Sequence, residues 1–489
     1  MGGSRRASER SDADRAWARS VGSVRMARSA RSRDIMPKTH LLQTLRTWTV
    51  CVLLTLTCHA RSAEPIPSGP LVAGPIGFEF AVYFTDLPAT DPMAALRLRL
   101  KAAGGPTLVT ALPDKPAGSL LHARVDTTVQ KDYRPPDLEA LQRFGRGLTR
   151  EQAVALQRSE RALILRFTHP MSISMPAYRS ALLLTEQVAR DTNGLLWDEE
   201  TREVFSPDEW HKRRLDSWSG DTPNALTQTV IHAYKGDKQV RAITLGMAKF
   251  GLPDIVVDDF SWSSNRSMGH LIGLLAQAMI EGAALKSSGV YDLDLRAIRH
   301  SAVRDSQLPA LKHNSTAVAK LSLVNGTPES GDPRNRLVEI AFDRYPGPDH
   351  YARQDAMLSA LFGTEDSVTR VNHTRELQVA SDAARAKLPG LRDAFNRGLQ
   401  PGEYVLLKLP FATPKGGTEW MWVEVMSWDG DAIKGLLKNE PMDIPTLHGG
   451  QIVKVSQSKV FDYLRSDANG RDEGNTTGTI LQRMQDEQR

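Results

Sequence analysis

Asp254, Asp258 and Asp259, with His270 a short way on, form the one concentration of acids and imidazole in this sequence with the makings of a reactive site. Carboxylate oxygens converging on a point would hold a hard cation, and three ligands of defined spacing would hold a catalytic zinc. The same groups could serve a hydrolase. Their spacing fits no ligand motif, so no metal and no cofactor is expected, and solvated acids at strand ends explain the cluster equally well. No GxSxG elbow, HExxH, Walker loop or dinucleotide-binding GxGxxG unit occurs, which leaves only an unmotifed Ser/His/Asp site assembled in space. His232 reads as a residue hydrogen-bonded within the fold, and Glu199, Glu200, Arg202 and Glu203 as a solvated hairpin tip.

A binding role would call on other residues. Trp420 and Trp422 are two apart and therefore share one face of a strand, with Trp428 nearby. Facing solvent, the pair could grip a peptide or glycan strand; facing inward, it would fill the core of a small barrel. Asn439-Glu440-Pro441 is a turn signal, since Asn tolerates a left-handed backbone and Pro fixes the next residue. Asn439 and Pro441 are thus either binding residues or the frame of a turn.

The elements that must position these groups alternate between strand and helix. Gly77 to Thr85, Thr107 to Leu112, Leu120 to Thr127 and Ala162 to Phe167 read as strands, with a helix after Asp91 and another over Ala177 to Arg190 that Asn193-Gly194 breaks. Leu195 to Phe205 and Thr227 to Leu245 read as hairpins, the second turning at Lys235-Gly236-Asp237. Met268 to Leu285 reads as a core helix, because His270, Gln277 and Glu281 interrupt an apolar run too short for a membrane span. Residues 75–290 would make one α+β domain and 291–375 a connecting region in which Val318 to Val324 and Leu337 to Phe342 could pair. Asp382 to Leu399 reads as a helix interrupted by Pro389, followed by β-rich texture to about Leu464 and a polar, mobile tail over 467–489. The fold class is α+β: an N-terminal mixed α/β-layer domain followed by a small helix-plus-β-rich C-terminal domain.

Residues 378–466 carry the ordered motifs ARAKLPGLRDAF, GEYVLLKLPF, Glu419 to Val425, Gly435 to Pro441, Gly449 to Val453 and Val460 to Tyr463. In these they resemble the YegJ-type family, domain of unknown function 2314, which usually has an acid after the glycine where this chain has Gly450-Gln451. Val240 to Asp258 is similar to the portion that accompanies this domain in larger bacterial proteins. The resemblance implies an architecture and no particular reaction.

Charge and the N-terminus speak to location. Residues 1–35 hold nine arginines against Glu9, Asp12, Asp14 and Asp34, whereas the chain from 64 onward has 50 basic and 53 acidic residues. A basic face for nucleic acid is therefore not expected in the folded body. Residues 36–63 begin with a positive segment, continue through an apolar run near Val50 to Cys58 and end in small residues around Ala60, Ser62 and Ala63. That is the pattern of a cleaved signal peptide, too short to stay as a membrane span. Residues 1–35 are then a disordered basic arm or precede a true start at Met36. Both cysteines, Cys51 and Cys58, fall inside the signal, leaving a thiol-free mature chain. The favoured reading is a periplasmic or secreted, non-catalytic binding module with a protein partner in the envelope. The alternative is a periplasmic hydrolase using the acids near Asp254 to His270.

Overall fold

A strand that is apolar at nearly every position must be covered on both faces, and Ile76–Phe84 (β1) is such a strand: Glu79 is its one charged residue, paired with Arg166, and only Gly77 is exposed. The computed structural model describes residues 64–101, 105–236, 239–312, 314–364 and 374–487. β1 sits at the centre of a seven-stranded sheet with Leu120–Asp126 (β2), Arg161–His169 (β3), Leu195–Asp198 (β4) and Glu203–Phe205 (β5). The order is Thr107–Leu108, β2, β3, β1, β4, β5, Gly145–Arg146. On one face Ala81, Tyr83, Ile164 and Trp197 meet the short helices around Val129, Leu141 and Leu156. On the other, Phe78, Phe80 and Phe167 pack against Tyr178 of helix α2 (Ser174–Thr192) and against Trp210. Helix α1 (Pro92–Leu100) starts where Asp91 accepts the Ala94 N–H at 2.8 Å, and α2 stops where Asn193 turns left-handed at φ 50°.

The second sheet has six strands. Val230–Lys235 (β6) and Val240–Leu245 (β7) form the expected hairpin, followed by Asp254–Phe260 (β8). Helix α3 (Asn265–Ile280) crosses back, and Val290–Asp294 (β9), Val318–Asn325 (β10) and Leu337–Ala341 (β11) complete the order β6-β7-β8-β11-β10-β9, with β8 and β11 parallel. The stretch 291–375 thus supplies interior strands to this sheet, and β10 pairs with β11 through Ser322↔Ala341. Helix α3 begins at Asn265, three residues before Met268. It buries Met268, Leu271 and Leu275 in one core shared by both sheets, α2 and helix α4 (His350–Phe362).

The C-terminal lobe has its own core. Helix α5 (Arg375–Arg397) lays Ala384, Leu388 and Leu391 on an antiparallel sheet of order β15-β14-β13-β12-β16-β17. Its strands are Tyr404–Ala412 (β12), Thr418–Asp429 (β13), Ala432–Leu437 (β14), Ile452–Ser456 (β15), Asp462–Ser466 (β16) and Asp472–Gly474 (β17). Pro389 does not interrupt α5: the buried Leu388 and Leu391 on either side hold the helix against the sheet despite the lost backbone bond. Residues 467–487 are not a loose tail either, because β17 adds an edge strand and Thr476–Asp486 forms helix α6. The buried Asp462 carboxylate accepts the Thr477 N–H and hydroxyl at 2.8 and 2.7 Å and anchors the start of that helix. Among the described residues no helix is long and apolar enough to cross a membrane.

Candidate functional site

The acids singled out by spacing are strung along β8 and do not converge. A strand rises about 3.3 Å per residue, so Asp254 and Asp259 lie roughly 16 Å apart. Asp254 is buried and accepts Thr244 Oγ1 at 2.9 Å, the Met247 N–H at 3.2 Å and Asn335 Nδ2 at 2.8 Å. Burial pushes its carboxyl up to about 6 against those three donors. Asp258 takes a two-pronged contact from Arg241 Nη1 at 2.6 and 2.7 Å, and Asp259 accepts the Tyr351 hydroxyl at 2.6 Å. His270 points elsewhere, edge-on to Phe362 with ring centres 6.0 Å apart, and burial lowers its pKa. Among the described residues no group of three His, Cys, Asp or Glu could hold a metal ion.

The hairpin tip after β4 is only partly solvated: Glu199, Glu200 and Arg202 are half-buried, and Glu203 is buried with Asp198 and Thr201. The segment Met247–Phe250, arriving from the second sheet, covers it and buries an ionic cluster between the sheets. Asp198 Oδ2 accepts Lys249 Nζ at 2.6 Å and Arg214 Nη2 at 2.9 Å, and Arg214 Nη2 also reaches Glu203 Oε2 at 2.8 Å. Burial raises the Asp198 carboxyl, but Lys249 and Arg214 outweigh it and hold its pKa below the usual value. Burial in turn brings Lys249 down to about 8. At the tip, burial and then the neighbouring Glu199 and Asp198 push the Glu200 carboxyl up to about 8. The folded chain then keeps a proton that the unfolded chain releases, so stability falls as pH rises from about 4.5 to about 8. Glu200→Gln is expected to flatten that fall in thermal melts taken across this range; an unchanged slope would assign it to other groups.

A polar seam joins the lobes. Glu424 of β13 accepts Ser263 Oγ at 2.5 Å and the Ser263 N–H at 3.4 Å, placing a carboxylate just before α3, where negative charge is favoured. Lys438 Nζ donates to Ser264 Oγ at 3.2 Å and lies 3.9 Å from Glu424. Asp349, which caps α4 through the Ala352 N–H, also accepts the Ile452 N–H at 3.0 Å. Burial raises the Asp355 carboxyl, with Lys438 opposing and Glu440 adding to the rise.

One face of the C-terminal sheet turns away from its core. Met421 and Val423 point inward, so Trp420 and Trp422 point outward, each half-buried. Trp428 follows neither of them: a register shift between Val425 and Ser427 inverts the alternation and sends it into the core opposite Ile433. Trp420 packs on Phe461 with ring centres 4.5 Å apart. Trp422 is fixed through its backbone, its N–H donating to Asn439 Oδ1 at 2.6 Å and its carbonyl accepting the Lys438 N–H at 2.8 Å. Pro441 is half-buried in the connection that follows, where the Asp443 N–H donates to Glu419. The structure therefore brings Trp422 and Asn439 together.

Residues 376–489 match the model of a family described as an uncharacterized protein conserved in bacteria (DUF2314). The C-terminal lobe is a DUF2314 domain. No curated protein and no solved structure matches the chain. Within the DUF2314 domain, the Lys438 to Pro441 stretch frames Trp422 on one side and faces the seam on the other. The Gly449-Gly450 pair permits the close approach to α4: Gly450 has φ +77°, and a Cβ there would lie 2.4 Å from the Tyr351 carbonyl oxygen. Reasoning from the sequence missed Lys408 of β12, which pairs with Trp422 across the sheet and shares its face. A lysine alternating with leucines in a strand reads as a solvent-facing residue, yet Lys408 is only 6% exposed.

Proposed function

We propose that this chain is an exported, non-catalytic binding module of the bacterial envelope, with the outward face of the DUF2314 sheet around Trp420 and Trp422 as its contact surface. The observation that carries the reading is the fixing of Trp422 from both backbone sides by Lys438 and Asn439. A rigid, half-buried aromatic offers large contact area at little entropic cost, which is the character of an interface anchor. The paired states of Asp254, Asp258 and Asp259, spread along β8, weigh against the hydrolase alternative. Export rests on the signal-like pattern of residues 36–63, which lies outside the described residues; with it, the partner is an envelope protein.

The test is co-purification from envelope extract with the full chain and with a Trp420→Ala, Trp422→Ala double variant. Stoichiometric recovery of a partner by the wild type and at least a tenfold loss in the variant, with the melting curve retained, is expected. Equal recovery by both would remove this face from the account.

A further inference from the structure

Lys408 is buried to 6% exposure, and among the described residues its ammonium group has neither a hydrogen-bond acceptor nor an ion-pair partner. What it has is the Trp422 ring, with Nζ 5.6 Å from the centroid. Its cross-strand neighbour on the other side is Asp462, but both oxygens of that carboxylate are engaged elsewhere, by the Tyr463 N–H and by Thr477. The Trp422 indole N–H likewise has no acceptor among the described residues. Neither Nζ nor the indole N–H is among the sealed polar atoms without a partner, so the tips of both reach the surface as donors open to a ligand. Burial depresses the Lys408 pKa, and the charge of the cross-strand Asp462 carboxylate opposes that fall.

We propose that Lys408 and Trp422 form a carboxylate-binding subsite on the outward face of the DUF2314 sheet, the ammonium and indole N–H each donating to one oxygen of a peptide ligand. A single cation beside one neutral donor suits the charge and two-oxygen fork of a carboxylate better than the double charge of a phosphate. Trp420, two residues along the same strand and packed on Phe461, lies about 7 Å away and offers an apolar wall. Residues two apart in an extended peptide have the same spacing, so the fitting ligand carries an acid and an apolar side chain separated by one residue. This rests on the contact face proposed above and names the chemistry of its ligand.

The experiment titrates the full chain with the acetylated, amidated tripeptide glutamyl-alanyl-leucine, followed by tryptophan fluorescence and calorimetry. Its glutaminyl counterpart and a neutral peptide with a free terminal carboxylate are run in parallel. Saturable binding of at least one carboxylate-bearing peptide, at least tenfold weaker for the fully uncharged one, is expected. The free-acid arm tells a chain terminus from a side chain as the source. Lys408→Met is expected to abolish that tenfold discrimination, and Lys408→Arg to retain part of it. Binding that ignores the charge but depends on Trp422 would overturn the carboxylate assignment and leave the contact face standing. Binding that depends on neither residue would overturn both, and failure of every peptide to bind would overturn the carboxylate assignment while the envelope co-purification decides the face.

Discussion

Asp198→Ala is expected to cost about 3–5 kcal/mol of stability, enough to take a large share of what a folded domain has. Asp198, Arg214 and Lys249 are wholly or almost wholly buried, and one oxygen of Asp198 is shared by both cations. Removing the carboxylate leaves Lys249 with only the Gln228 carbonyl at 2.7 Å, and Arg214 with Glu203, the Thr227 carbonyl and the Thr201 hydroxyl. It also strips the acceptor from the Glu200 N–H at the hairpin tip. Lys249→Met is the informative comparison, because Asp198 would keep its bond to Arg214 and the methionine would fill the same space. Its cost is expected to be less than half that of Asp198→Ala in denaturant unfolding. Equal costs would mean that packing, and not charge pairing, governs the cluster.

Gly450→Val is expected to open the seam between the lobes. The position has a left-handed backbone, and a side chain would meet the Tyr351 carbonyl and Ala352 Cα at 2.4 and 2.9 Å. Backbone strain and overpacking together cost roughly 2 to 5 kcal/mol. Because the obstruction lies at the contact and not in either core, the loss should fall on the seam bonds. Hydrogen exchange at the Ile452 N–H, held by Asp349, and at the Ser263 N–H, held by Glu424, should accelerate at least tenfold. Amides of β1 and β13 should keep their protection. Uniform acceleration throughout both lobes would show that the lobes do not unlock separately.

Much of this architecture is legible in local sequence. The hairpins at 195–205 and 230–245, the cap at Asp91 and the break at Asn193 follow from turn chemistry and periodicity, which depend on near neighbours. What resists reading depends on distant segments. Asp198, Thr201 and Glu203 at the polar tip are buried because Met247–Phe250 folds over them, and nothing within the hairpin announces that cover. Asp254, Asp258 and Asp259 look clustered along the chain, but an extended backbone spreads them and gives each its own partner. Pro389 is tolerated because its flanking leucines are needed in the core. Lys408 shows the limit most plainly: its environment is set by β13, whose Trp422 covers it from across the sheet.

The outward tryptophans were legible as a pair sharing one face, and their orientation was not. Alternation fixes that Trp420 and Trp422 go together; which way they face depends on Met421 and Val423 being claimed by helix α5 and its core. Trp428 escapes the same alternation through one extra residue, a change that composition does not signal.

The central claim is that the face holding Trp422 is where this protein meets its partner. Recovery of an envelope protein by wild type and by the Trp420→Ala, Trp422→Ala variant, quantified side by side at physiological salt, measures it most directly. A partner bound stoichiometrically by the first and lost at least tenfold by the second, at unchanged melting temperature, is the predicted result. The same partner retained in full by the folded variant would contradict it.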